Sequence, residues 1–390
     1  MGRSDRAKQE IVTVASTLRI LHLVATGKRR GAEIFAADLV RALATAGVSQ
    51  RVAMLRHSGP LAVRFDAPVS ILPSGGLKVP GLGVHLETVR GLRTLIEAWR
   101  PNVVQAHGGE ALKNVASSLV GTRLPLIYRK IGLAPPWLVH GLRRGTYGWL
   151  IRRAACVVAV AEDIQRQTVS LFRVPASIVV TIPNGVDRER IAPTRGREEI
   201  RRSLGIPGDT PVLASVGAIT WEKDPFVHLR VAARVLRRLE VVHVWVGDGP
   251  MREALQATGR QLGLDGRLLL VGSRTDVGDL LAASDILLFA SRGDGMEGMP
   301  ATVIEAGMAG LPVAGFAVAG VPEVVVDGET GLLASPGDED GLVDRVMELV
   351  EDEDRRRVMG KAGRERCLAR FEIGTISRRY LSLYEEVAGS

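Results

Sequence analysis

The hydrophobic positions of this chain come in short runs. Apolar stretches at residues 20–25, 51–55, 103–106, 126–128, 156–161 and 178–182 are separated by segments with helical spacing or turn residues. The first run passes through a glycine-containing turn into residues 33–46, whose apolar positions recur every three to four residues, a strand-turn-helix unit. Strands of this length alternating with amphipathic helices predict a parallel sheet covered on both faces. The pattern breaks at Pro183-Asn184-Gly185-Val186-Asp187 and a polar, Arg-rich stretch follows as far as residue 202, a linker by composition. It then restarts, with apolar runs at 212–216, 241–246, 268–271, 286–289 and 313–316. The expectation is an α/β chain of two doubly wound, Rossmann-like domains. A polar tail at 1–18 precedes an N-terminal domain at 19–195 and a C-terminal domain at 196–370. In the remaining 371–390, Ile373, Ile376, Tyr380, Leu383 and Val387 are spaced as one face of a helix that can fold back on the N-terminal domain.

Length agrees with that division, because 390 residues exceed one ordinary core and suit two. The two cysteines, Cys156 and Cys367, match neither a disulfide framework nor a zinc spacing, which suits a reducing compartment. The polar first residues lack the apolar core of a signal peptide, and no apolar run approaches the roughly 18–20 residues that span a bilayer. The expected location is cytoplasmic. Charge alters the picture more. Residues 1–195 hold 28 basic and 12 acidic residues, a net +16, whereas the remainder holds 23 and 31, a net −8. The N-terminal half is expected to meet something anionic.

Two open α/β domains place their ligand crevices at the C-terminal ends of their strands, so the chemistry is expected between them. The most informative segment is Glu297-Gly-Met-Pro-Ala-Thr-Val-Ile-Glu305. Pro300 suits the first turn of a helix, and the amides of Gly298 and Met299 just ahead of it form a cradle for a diphosphate that needs no metal. Glu305, inside the helix, is placed to accept hydrogen bonds from ribose hydroxyls. Glu297, just outside it, is placed to face the reacting sugar. Taken alone, the pair also fits an acidic helix start and an exposed helical Glu.

In the N-terminal half, Thr26-Gly-Lys-Arg-Arg-Gly-Ala-Glu33 opens the first helix, so the amides near Gly31 can approach donor phosphates or the acceptor. The loop lacks the glycine spacing of a dinucleotide site, which disfavours dehydrogenase chemistry. His107 ends the strand at 103–106 and is followed by two glycines, a position from which a side chain reaches a crevice. Asp338-Glu339-Asp340 formally matches a metal-binding pattern, but it follows Pro336-Gly337 and precedes a helical run, so it reads as a helix cap. Bases cluster at Lys28-Arg29-Arg30, Arg129-Lys130, Arg143-Arg144 and Arg152-Arg153, interleaved with Trp137, Tyr147 and Trp149. That mixture resembles a membrane-interface surface. No nucleic-acid-binding motif accompanies it, and none is expected as a partner.

The ordered stretch 291–337 carries Glu-Gly-Met-Pro, Ile-Glu-Ala-Gly, Gly-Leu-Pro-Val, Gly-Val-Pro-Glu-Val-Val, Asp-Gly-Glu-Thr-Gly-Leu-Leu and Pro-Gly-Asp. With Pro-Asn-Gly-Val-Asp at 183–187, Val-Gly-Asp-Gly-Pro at 246–250 and Arg-Gly-Ala-Glu at 30–33, it resembles the signature of retaining GT-B glycosyltransferases of family 4. The resemblance implies two Rossmann-like domains facing across a cleft and transfer of a sugar from a nucleotide-sugar donor to a glycan or lipid-linked acceptor, in cell-surface or exopolysaccharide biosynthesis. No cofactor and no metal are expected, and the basic, aromatic-interleaved surface points to peripheral placement at the inner face of an anionic membrane. The resemblance places Lys223, after Gly217, on the donor diphosphate, Arg274 at the base, and His107 with Glu297 at the transferred sugar. Two positions depart from the family pattern: Ala218 stands where an Arg is usual, and Asp224 where a Gly often follows the lysine. A nucleotide-sugar epimerase of the same architecture and a non-catalytic anion-binding module are the alternatives.

Overall fold

A computed structural model describes residues 18–57, 59, 62–79 and 83–389. The polar tail expected at 1–18 lies, Leu18 apart, outside the described residues. The first half runs β1 (Arg19–Thr26), α1 (Gly31–Thr45), β2 (Ser49–Arg56), β3 (Val69–Ile71), α2 (Leu86–Trp99), β4 (Val103–His107), α3 (Gly109–Ser118), β5 (Leu126–Lys130), α4 (Gly141–Ile151), β6 (Cys156–Ala159), α5 (Glu162–Phe172) and β7 (Val179–Thr181). Its strands form one parallel sheet in the order β3-β2-β1-β4-β5-β6-β7. β4, β5 and β6 are buried at every position, as strands covered on both faces must be.

The second half runs α6 (Arg197–Ser203), β8 (Val212–Val216), α7 (Pro225–Leu236), β9 (Val242–Val246), α8 (Arg252–Gln261), β10 (Leu268–Gly272), α9 (Val277–Ala282) and β11 (Ile286–Phe289). It continues through α10 (Ala301–Ala309), β12 (Val313–Phe316), α11 (Val321–Val324), β13 (Gly331–Ala334), α12 (Glu339–Glu351) and α13 (Glu353–Phe371). A second parallel sheet has the order β10-β9-β8-β11-β12-β13. The order reverses at β1/β4 in the first sheet and at β8/β11 in the second, where such sheets open a crevice beyond their strand ends.

The described residues divide into two compact units, one running to Gly185 and resuming at Ile373, the other Val186–Glu372. The division therefore falls at Gly185/Val186, ahead of the 195/196 boundary drawn from composition. The Arg-rich stretch is no loose linker: Asp279 accepts from the Thr194 amide at 2.6 Å and pairs with Arg195 at 2.8 Å, and Arg197 pairs with Asp285 at 2.7 Å. The last helix, α14 (Ile373–Gly389), is part of the first unit. Its apolar face, Ile373, Ile376, Tyr380, Leu383, Tyr384 and Val387, packs against Ile20, Phe35, Leu39 and Leu43 of β1 and α1. A Cβ on Gly185 would stand 2.9 Å from Ile373 Cδ1 and 3.0 Å from Ile376 Cβ, which explains the glycine in Pro-Asn-Gly-Val-Asp.

His22, His228 and His243 are among the histidines buried in these cores. Burial pushes His22 and His228 down to about 4 and His243 to about 3. The unfolded chain takes up protons on them as pH falls below about 6.5, while the folded chain keeps them neutral to about 4 or lower. Stability is thus fully retained above about 6.5 and declines with falling pH, by on the order of 3 kcal/mol per histidine at the lower end. Thermal melts between pH 7 and pH 4.5 are expected to show that decline, and His243→Gln to flatten it; a pH-independent melting point would contradict the burial assigned here.

Candidate active site

In the second unit, three loops at the C-terminal ends of β8, β9 and β11 are locked together by their backbones. The Gly217 amide donates to Val246 O at 2.9 Å and the Ile219 amide to Asp248 O at 3.0 Å. A Cβ on Gly247 would lie 1.9 Å from Gly217 O, and one on Gly249 2.3 Å from Ile219 O. The glycines of Val-Gly-Asp-Gly-Pro are therefore demanded by close backbone approach. From this platform the chain makes a 3-10 turn, Trp221–Lys223, that ends on Asp224 at φ 43. That left-handed conformation is why a glycine suits the position and why Asp, which tolerates it, can replace one.

His228, on the first turns of α7, ties this turn to the end of β11. Its Nδ1 donates to Asp224 O at 3.1 Å and its Nε2 accepts from the Ala290 amide at 3.1 Å. The Arg292 amide donates to Glu222 O at 3.1 Å, and the Arg292 guanidinium lies 4.4 Å from the Trp221 ring. The loop 291–300 is thereby docked on the turn that carries Lys223. Pro300 is the residue capping α10, one position ahead of the helix it was expected to open. The Gly298 carbonyl accepts from the Gly320 amide at 2.8 Å, and Met299 is buried.

These constraints bring Lys223 Nζ to 2.6 Å from Glu297 Oε2 and 5.3 Å from the Phe289 ring, with the lysine and carboxylate side chains 22% and 14% exposed. Glu305, on the second turn of α10 and 7% exposed, accepts from Arg190 Nη2 at 2.9 Å. Each of the two expected carboxylates is thus gripped by a cation. Sequence reading supplied Lys223 but missed Arg190, hidden in an apparently solvated linker 115 residues from its partner. It also missed His228, whose only sequence signal is a histidine within an apolar helical stretch. Arg274 is taken up by Asp276 in a two-pronged pair of 2.8 and 2.6 Å, which holds that carboxyl below the usual range. Arg195 shares the same carboxylate at 2.8 Å.

Asp338 caps α12, accepting from the Gly341 amide at 2.9 Å, while Glu339 and Asp340 pair with Arg230 and Arg234. Among the described residues no cluster of His, Cys, Asp or Glu is arranged to hold a metal ion.

In the first unit, Gly31 is the first residue of α1 and is exposed. Glu33 behind it is buried, accepts from Thr26 Oγ1 at 3.0 Å, and is raised above the usual carboxyl range mainly by burial. His107 ends β4, but its ring is buried, with Nε2 at 3.2 Å from His22 Nδ1. Burial, the neighbouring His22 and Arg129 hold it well below the usual imidazole range, so it stays neutral. Of the expected surface bases, Arg129 and Lys130 are instead buried at the tip of β5, where β5 carries them inward. The Arg129 guanidinium lies 3.8 Å from the Phe35 ring, and burial pushes Lys130 down to about 7. Tyr147, expected among the interface aromatics, hydrogen-bonds the Tyr128 hydroxyl at 2.8 Å.

The fold is that of GT-B glycosyltransferases. It matches Anabaena HepE solved with UDP and glucose at a TM-score of 0.81, over 94% of this chain and 99% of that one, at 21% identity. Two family models cover most of the chain, Glycosyltransferase Family 4 over 29–190 and Glycosyl transferases group 1 over 196–366, and the chain belongs to the group 1 glycosyltransferases. Among curated relatives, N-acetyl-alpha-D-glucosaminyl L-malate synthase of Bacillus anthracis is 27% identical over 70% of this chain and 71% of its own length. The UDP-Gal:alpha-D-GlcNAc-diphosphoundecaprenol alpha-1,3-galactosyltransferase of Escherichia coli is 27% identical over 82% and 84%. The protein is therefore a glycosyltransferase, which sets aside the epimerase and non-catalytic readings.

Proposed function

We propose that the protein transfers a sugar from a nucleotide-sugar donor, held by the second unit, with retention of anomeric configuration and without a metal ion. The observation that carries this reading is the pair of cation-held carboxylates flanking the start of α10, Lys223 with Glu297 and Arg190 with Glu305. Glu305 accepts from the ribose, and the amides ahead of α10 receive the diphosphate at the positive end of the helix. Lys223 bridges Glu297 and the leaving phosphate, so one cation neutralises charge as the bond from the anomeric carbon to the phosphate oxygen breaks. The acceptor oxygen bonds to the same face of that carbon, and its proton passes to the departing phosphate. Glu297 opposes the positive charge that develops on the sugar. The test is a thermal-shift screen of nucleotide sugars followed by NMR of the product formed from the donor that stabilises the chain. A product with inverted configuration would rule the mechanism out.

The acceptor is proposed to be lipid-linked, of the kind used in cell-surface or exopolysaccharide biosynthesis, and reached at an anionic membrane face. The 51 residues 111–161 contain eight bases and no acidic residue. Within them Trp137, Leu142 and Trp149 are 58%, 91% and 48% exposed, with the Arg143 guanidinium 5.9 Å from the Trp137 ring and Arg153 5.2 Å from Trp149. Leu142 and Trp149 are seven residues apart on α4 and share a face. Beside Trp149 lies an apolar depression of about 220 Å³ lined by Val79, Leu86, Val89, Ala116 and Val120. Each base near an anionic leaflet contributes about 1 kcal/mol. Among the described residues no helix is long and apolar enough to cross a membrane, so attachment would rest on this surface. The chain is expected to sediment with phosphatidylglycerol vesicles and not with phosphatidylcholine ones. The double substitution Leu142→Asp, Trp149→Asp should weaken that binding at least about tenfold; equal binding to both lipids would refute the surface.

A further inference from the structure

We infer that Arg190 is the positioning residue of the donor site, fixing the Glu305 carboxylate so that it selects a nucleotide with a complete ribose. The inference rests on Glu305 being the ribose acceptor, as proposed above, and adds a residue to that site.

Arg190 is itself held from both sides. The Asp187 carboxylate accepts from the Glu189 amide at 2.9 Å, closing the turn ahead of it. Behind it, the Ile191 carbonyl packs so tightly on α9 that a Cβ on Gly278 would come within 2.2 Å of it. Thr194 and Arg195 are then anchored on Asp279, at 2.6 and 2.8 Å. The backbone from which the Arg190 side chain leaves is thereby fixed. The Arg190 and Glu305 side chains are only 18% and 7% exposed, and they meet at 2.9 Å through one nitrogen and one oxygen, Nη2 and Oε1.

An ionised carboxylate is a hydrogen-bond acceptor only. It therefore distinguishes a hydroxyl, which can donate to it, from a carbon-bound hydrogen, which cannot. The bond to Oε1 restrains the orientation of the group, and Oε2 is the oxygen offered to the nucleoside. Without Arg190 the carboxylate would be free to turn, and its acceptor oxygens would meet the nucleoside in no fixed direction. A role limited to stapling residue 190 to α10 would cost stability and leave nucleotide selectivity intact.

The experiment compares the dissociation constants of ribo- and 2′-deoxyribonucleoside diphosphates, using the base that gives the largest thermal shift, for wild type, Glu305→Gln, Arg190→Met and Arg190→Lys. The wild type is expected to prefer the ribose form by on the order of ten- to a hundredfold, the range of one charge-assisted hydrogen bond. Arg190→Met should lose most of that preference while staying folded, and Arg190→Lys should restore part of it. Retained preference in Arg190→Met, with preference lost in Glu305→Gln, would overturn the role of Arg190 alone. Absence of any preference in the wild type would overturn both it and the ribose role of Glu305. If Arg190→Met fails to fold, Arg190→Gln takes its place and is judged by the same outcomes: loss of preference in a folded variant supports the role, and retained preference overturns it.

Discussion

Gly247→Ala is expected to destabilise the second unit by at least about 3 to 4 kcal/mol and to abolish donor binding. The added methyl would stand 1.9 Å from Gly217 O and 2.7 Å from Gly217 C, and both atoms are backbone that no rotamer change can move. Gly247 also sits at φ 143, outside the range comfortable for a side chain. Relief requires pushing the β8 loop away, and that loop carries Ile219 and the turn leading to Lys223. The lysine would then leave Glu297. A melting-point loss of roughly 10 °C or more is expected for a unit of this size, with no shift on adding nucleotide sugar. Wild-type melting and binding would mean that the two loops are not in the contact described.

Glu297→Gln is the second substitution of large effect, and its expected signature is different. The amide preserves shape and can still meet Lys223 Nζ, but it removes the negative charge that opposes developing charge on the sugar. Loss of a preorganised electrostatic group of this kind lowers turnover by about 10²- to 10³-fold. Donor affinity should change by less than about threefold, because nucleoside and diphosphate contacts lie elsewhere on the loop and α10. Steady-state rates with the donor found by screening check the first figure, and calorimetric titration the second. A variant retaining more than about a tenth of wild-type turnover would remove Glu297 from the chemistry.

The sequence was legible where one local rule decided the outcome. Strands β1, β4, β8, β9, β11 and β12 follow their apolar runs closely, and the α14 face was read from its spacing alone. Two strands escaped. β3 is three residues at a sheet edge, with Val69 and Ile71 both exposed, and has no buried run to betray it. β13, Gly331–Ala334, opens on a glycine inside a turn-rich motif, and that glycine is needed because a Cβ would lie 2.5 Å from Val313 O. The domain boundary was displaced because polarity was taken for looseness, when Arg195, Arg197 and Arg201 each have acidic partners more than 80 residues away.

Site residues divided in the same way. Gly298, Met299, Pro300 and Glu305 were read as a helix start, and a helix does begin at Ala301, because helix-start chemistry is local. The pairing of Lys223 with Glu297 spans 74 residues and depends on His228 and on backbone contacts among three loops, none of which leaves a spacing to read. His107, expected at a crevice, and the pair Arg129-Lys130, expected in a basic surface cluster, illustrate the converse: all three are buried, His107 against His22, Arg129 against Phe35 and Lys130 near Phe172.

The central claim, that Glu305 holds the nucleoside of the donor, is tested most directly by titrating the nucleotide sugar that stabilises the wild type into Glu305→Ala. A donor at a hundred times its dissociation constant stabilises the fold by about 2.7 kcal/mol, and that gain should vanish in a variant that still melts cooperatively without ligand. A folded Glu305→Ala with wild-type affinity would contradict the account.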